Sequence, residues 1–154
     1  GAFVTKNKEV LATALKFAQS RLSPPSLGQV IGEASIDTPK EYFEEVYNEY
    51  IERRNYMVEA LNKMEGVTCP MPKGAFYTIT ELPVDDTDKF CQWMLSDFSH
   101  KNQTVMMAPG SGFYEDAELG KKHVRIAYVL NKEELRNAME ALEEGLKQYP
   151  GRTI

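Results

Sequence analysis

His123-Val124-Arg125-Ile126-Ala127-Tyr128-Val129 sets a single arginine inside a run that is otherwise apolar or aromatic. Alternation at this length predicts a strand. Val124, Ile126, Tyr128 and Leu130 fall on one face, and Arg125 shares the other with Ala127 and Val129. A guanidinium stays charged at every working pH, and its planar fork of donors best matches a carboxylate or phosphate held by two parallel hydrogen bonds. Arg125 therefore needs an anion. Three satisfactions remain open from the pattern alone: an internal salt bridge, solvent at a sheet edge, or a bound ligand.

Working outward from this strand, Asn131-Lys132-Glu133-Glu134 caps a last helix whose core face is Leu135, Ala138, Met139, Leu142 and Leu146. Upstream, Thr104 to Ala108 reads as a strand stopped by Pro109-Gly110-Ser111-Gly112, a turn that presents Phe113 and Tyr114 at its exit. Asp85 to Asp88 opens a helix with Phe90, Cys91, Met94, Leu95 and Phe98 as its buried stripe and Trp93 at a boundary. Short strands are predicted at Val67 to Cys69 and at Ala75 to Leu82, around a Pro-Met-Pro-Lys-Gly turn.

Before them, Thr38-Pro39-Lys40-Glu41 reads as a capping box with proline at the first helical position. The helix it opens carries an apolar stripe from Tyr42 to Met64 and ends at Gly66, a rod of roughly 40 Å. Such length predicts a helix connecting two domains. Nearer the N-terminus, Gly1 to Thr5 reads as an abruptly beginning strand, and Asn7 as the cap of a helix with Val10, Leu11, Ala14, Leu15, Ala18 and Leu22 on one face. Leu27, Val30, Ile31 and Ala34 form a second short face, weakened as a helix by Gly28 and Gly32, which read as a close-packing pair. The expected fold class is α/β: the long helix, then a small mixed or antiparallel sheet with helices packed on it.

The 154 residues suffice for one core. Eighteen basic against twenty-three acidic residues give a net charge of −5, the wrong sign for binding a nucleic-acid backbone. No apolar run approaches the roughly 20 residues of a membrane span. Cys69 and Cys91 lack metal spacing and form no disulfide framework, and a reducing, cytoplasmic setting is expected. No nucleophile elbow, phosphate loop or dinucleotide fingerprint is present. Asp85, Asp86 and Asp88 are read as carboxylates favoured at a helix N-terminus rather than as metal ligands, and His123 as structural or exposed.

Taken in order, Pro72-Lys73-Gly74-Ala75-Phe76-Tyr77, Pro109-Gly110-Ser111-Gly112-Phe113 and Val124-Arg125-Ile126-Ala127-Tyr128 resemble three successive C-terminal motifs of the class I/II pyridoxal-phosphate-dependent aminotransferases, the aspartate aminotransferase group. Gly1-Ala2-Phe3-Val4 is similar to the strand following that family's lysine motif. The resemblance implies that residues 1–35 are a remnant of the large cofactor domain and that 36–154 comprise the interdomain helix and the small domain. It implies that Arg125 binds the substrate α-carboxylate, that Phe113 lines the substrate side of the cleft, and that Gln19 to Gln29 lie near a homodimer interface; the match around Arg21 assigns that residue no role.

The implied reaction is biosynthetic transfer of an amino group, from aspartate in the closest reading, to a 2-oxo acid. A transaminase also needs an imine-forming lysine, an aspartate for the pyridinium nitrogen and phosphate anchors. These are not found in this stretch, so no catalytic residue is assigned, no pyridoxal phosphate is expected to bind it specifically, and it is expected to be inactive alone. Two alternatives stand beside this reading: a pyridoxal-phosphate lyase or synthase of the same fold, and a truncated interaction module docking through Val10 to Ile36.

Overall fold

The computed structural model describes residues 3–154. They divide into two compact units, one running to Tyr42 and the other spanning Phe43–Ile154.

In the first unit, α1 (Lys8–Arg21) begins where expected, because Asn7 Oδ1 accepts the backbone N–H groups of Glu9 and Val10 at 3.0 and 3.2 Å. It stops as Leu22 turns to φ +64°. α2 (Ser26–Ala34) forms despite its two glycines and runs into a 3-10 turn at Ser35–Asp37. Neither helix buries a residue. Two expectations fail in this unit. Phe3 to Thr5 form no strand, and Gly1 and Ala2 lie outside the described residues. Gly28 and Gly32 are not a close-packing pair, since a Cβ on either would meet no described atom within 4 Å.

The long helix α3 (Lys40–Lys63) has 24 residues, about 36 Å at 1.5 Å per residue. The Thr38 hydroxyl donates to Ser35 O at 2.8 Å and so closes the turn behind it. Only the C-terminal half of the predicted stripe is buried, at Met57, Val58, Leu61 and Met64, whereas Tyr42, Phe43 and Tyr47 are exposed. Gly66 takes φ +74°, as the residue beyond a helix end should.

In the second unit, β1 (Tyr77–Glu81), β2 (Ala108–Pro109) and β3 (His123–Ala127) form an antiparallel sheet in the order β1-β3-β2. The Arg125 strand is therefore central, with Ile79 opposite Arg125 on one side and Ala108 on the other. α4 (Thr87–Ser96), the short α5 (Ala117–Gly120) and α6 (Lys132–Gln148) complete the unit. Val124, Ile126 and Tyr128 point into a core that contains Met57 and Leu61 of α3, Phe90 and Met94 of α4 and Leu135, Met139 and Leu142 of α6.

Several predicted details change. Val67 to Cys69 reduces to one bridge, Thr68 to Glu81. Thr104 to Met107 is irregular, since Val105 and Met107 bury their side chains without a strand partner along the segment. Leu95 and Leu130 are exposed rather than core. Both cysteines are buried and free, and burial, with the Asp88 carboxylate adding to it, pushes the Cys91 thiol up to about 11. An unreactive thiol is the consequence.

Candidate active-site face

The face of the sheet opposite the core carries Tyr77, Ile79 and Glu81 from β1 and His123, Arg125 and Ala127 from β3. Arg125 is exposed there. Its guanidinium carbon sits 4.9 Å from the centroid of the Phe113 ring and 5.5 Å from that of Tyr77. Among the described residues no carboxylate comes within 4.0 Å of it. Among the described residues Arg125 has no internal salt bridge, and it belongs to the middle strand rather than an edge, so its exposed guanidinium is left to solvent or to a bound anion.

Each neighbour is held by structure that the chain builds locally. Tyr128, on the core side of β3, donates its hydroxyl to Ala75 O at 2.8 Å, and Tyr128 N donates to Phe76 O at 2.9 Å. These bonds fix the entry to β1, where Ala75 stands at φ +60°. Arg54 of α3 donates to Pro72 O at 3.3 Å. Burial pushes the Tyr128 phenol up from its ordinary range, against the pull of the nearby Arg54 guanidinium. Arg53 secures the chain just beyond the same end of β3, donating to Val129 O at 2.6 Å while paired with Glu49.

The loop carrying Phe113 is fastened just as closely. Gly110 N donates to His123 O at 2.7 Å, and Ser111 to Phe113 wind into a 3-10 turn. Ser111 donates its hydroxyl to Asp88 Oδ2 at 2.6 Å. Tyr114 stacks on His123 with ring centroids 5.6 Å apart. His123 is thus a half-buried stacking partner, in line with its structural reading. The three aspartates serve the second unit's architecture: Asp86 caps α4, Asp88 holds Ser111, and Asp85 accepts the Tyr149 hydroxyl at 3.0 Å. No group of three or more His, Cys, Asp and Glu side chains among the described residues could hold a metal ion. None of their helices is long and apolar enough to cross a membrane.

Arg125 and Phe113, distant in sequence, are therefore brought together. Tyr77 is the site neighbour that pattern reading missed. Its motif was visible, but its place beside Arg125 follows from the β1–β3 register, which no local signal encodes. A cleft of about 410 Å³ lies elsewhere, between α3 and α6, lined by Tyr56, Met64, Arg136 and Met139 among others, with no residue of the Arg125 face. Arg21 lies in the first unit at the end of α1.

The amino-acid pattern of residues 1–142 matches the family described as aminotransferase class I and II. An aspartate aminotransferase of Rhizobium meliloti is 30% identical over 152 residues, covering 90% of this chain and 34% of that protein. One from Pyrococcus horikoshii is 35% identical over 106 residues, covering 68% and 25%. Among solved structures, alanine aminotransferase from Pyrococcus furiosus aligns over 94% of this chain and 36% of its own, with a TM-score of 0.75 and 29% identity. The chain spans between a quarter and about a third of the length of these curated relatives. It belongs to the class I and II aminotransferase family.

Proposed function

We propose that these residues form the C-terminal part of a pyridoxal-phosphate-dependent aminotransferase, and that Arg125 grips the α-carboxylate of an amino acid or 2-oxo acid. One observation carries the reading. A permanently charged guanidinium stands on the central strand, framed by Tyr77 and Phe113, and pairs with no carboxylate among the described residues. Aromatic rings attract the cation without consuming its in-plane N–H groups, so the fork stays available to an anion. Aspartate is the proposed amino donor, on the strength of relatives named for it. We further propose that residues 1–35 belong to the large domain, that 36–154 hold the interdomain helix and small domain, and that the whole enzyme is a cytoplasmic homodimer with Gln19 to Gln29 near its interface.

The cofactor itself does not fit this stretch alone. An imine-forming lysine works when burial or a neighbouring cation lowers its pKa. No lysine among the described residues is buried, and Lys132 and Lys147 are shifted upward by the hydrogen bonds they donate to Glu52 and to Glu144 and Glu143. These residues supply the carboxylate side of a site whose cofactor side lies in the rest of the enzyme, and alone they are expected to be inactive. What the chain contributes is orientation: Arg125 fixes the α-carboxylate, and Phe113 and Tyr77 shield that ion pair from water.

Arg125→Ala in the whole enzyme tests this. The loss in kcat/KM is expected to correspond to about 2–5 kcal/mol, the scale of leaving one partner of a charge pair alone. It is expected to be similar for a dicarboxylic and an apolar amino acid, because the α-carboxylate is common to both. Arg125→Lys should recover little of it, a point charge being unable to reproduce the fork. Near-normal kcat/KM for both substrates would refute the assignment.

A further inference from the structure

Resting on that reading of Arg125, we propose that Tyr77 is a positioning residue: with Phe113 it holds the Arg125 guanidinium away from Glu81 and so keeps its charge free for a substrate carboxylate. The register makes the choice visible. Ile79 is the residue directly opposite Arg125, so Tyr77 and Glu81 are its two diagonal neighbours on β1, both exposed on the same open face. Diagonal cross-strand positions lie about 7–8 Å apart, within reach of a long side chain. An arginine with a glutamate on one diagonal and a tyrosine on the other has a ready salt bridge available. The chain takes the other arrangement, with the guanidinium on the two rings and Glu81 in no ion pair among the described residues.

The choice has a chemical consequence. A carboxylate at Glu81 would accept two of the guanidinium's donors and neutralise it, which is the same interaction a substrate carboxylate requires. An aromatic face draws the cation through its quadrupole and accepts none of those N–H groups in plane. The residue opposite Arg125 on the β2 side is Ala108, whose methyl offers the guanidinium no hydrogen-bond acceptor. Tyr77 is itself tied down, since Tyr128 binds the carbonyls of Ala75 and Phe76 just ahead of it. Removing the Tyr77 ring leaves Glu81 as the competing partner within reach.

Two measurements test this. In the isotopically labelled 154-residue chain, the Arg125 Nε–H resonance, identified by its loss in Arg125→Lys, is expected to carry a ring-current shift. That shift should collapse in Tyr77→Leu and largely return in Tyr77→Phe. In the whole enzyme, Tyr77→Leu should raise KM about tenfold for amino-acid and 2-oxo-acid substrates alike while kcat stays within about threefold. Adding Glu81→Gln to Tyr77→Leu should restore most of that KM, and Tyr77→Phe should lie close to the parent. An Arg125 resonance unmoved by Tyr77→Leu, or a KM defect that Glu81→Gln leaves in place, would overturn the proposal. A parental KM in Arg125→Ala would instead refute the carboxylate reading beneath it, and the resonance would still report whether Tyr77 holds the guanidinium.

Discussion

Arg125 is on the central strand of the second unit's sheet, yet among the described residues its guanidinium meets aromatic rings and no carboxylate. That combination separates it from Arg53, which pairs with Glu49, from Arg152, which pairs with Glu65, and from Arg54, which donates to a backbone carbonyl. The arrangement depends on close backbone approach at Gly110. A Cβ there would meet His123 O at 2.6 Å and Gly120 O at 2.8 Å, main-chain atoms on both sides that cannot rotate away. Gly110→Ala is therefore expected to cost about 1–3 kcal/mol, the range for overpacking a tight site. Gly112→Ala, whose Cβ would meet no described atom within 4 Å, should stay within about 0.5 kcal/mol. Urea unfolding of the two variants checks this, and equal midpoints would show that the loop is not pinned at Gly110.

At the level of elements, what was legible in the sequence was what short-range chemistry determines. Asn7, Asp86 and Asn131 each accept backbone N–H groups at a helix start, because a side-chain oxygen at the N-cap needs nothing beyond the next three residues. The alternation through Arg125 survives as a buried-exposed pattern over Val124 to Tyr128 for the same reason. What was not legible depends on partners far along the chain. Val67 to Cys69 and Thr104 to Met107 have strand-like residues but find a single bridge or no ladder, since pairing is decided by what lies alongside. Leu130 continues the alternation in sequence but lies beyond the last paired residue, Ala127, and is exposed. Within the site, Arg125 and Phe113 announced themselves through motif and composition. Tyr77 required the register, and the Arg125–Glu81 alternative could not be seen without it.

Across the whole molecule, burial is concentrated in Phe43–Ile154, where a single core joins residues of α3, the sheet, α4 and α6. The preceding unit has two helices of 14 and 9 residues with no buried residue and with Leu15, Phe17, Leu27 and Ile31 exposed. Helices shorter than about 12–15 residues are marginal in water without tertiary packing. Amide exchange of the 154-residue chain should therefore be fast through Val10 to Ala34 and slow through Met57 to Leu61 and Leu135 to Leu146. Equal protection in both regions would mean that the first unit has stability of its own. The central claim, that Arg125 exists to hold a carboxylate, is tested most directly by a crystal structure of the whole enzyme with a 2-oxo acid at its site. The expected result is both oxygens of the α-carboxylate about 2.7–2.9 Å from two guanidinium nitrogens of Arg125, with Tyr77 and Phe113 still against the guanidinium. A carboxylate bound elsewhere, with Arg125 facing solvent or turned onto Glu81, would contradict it.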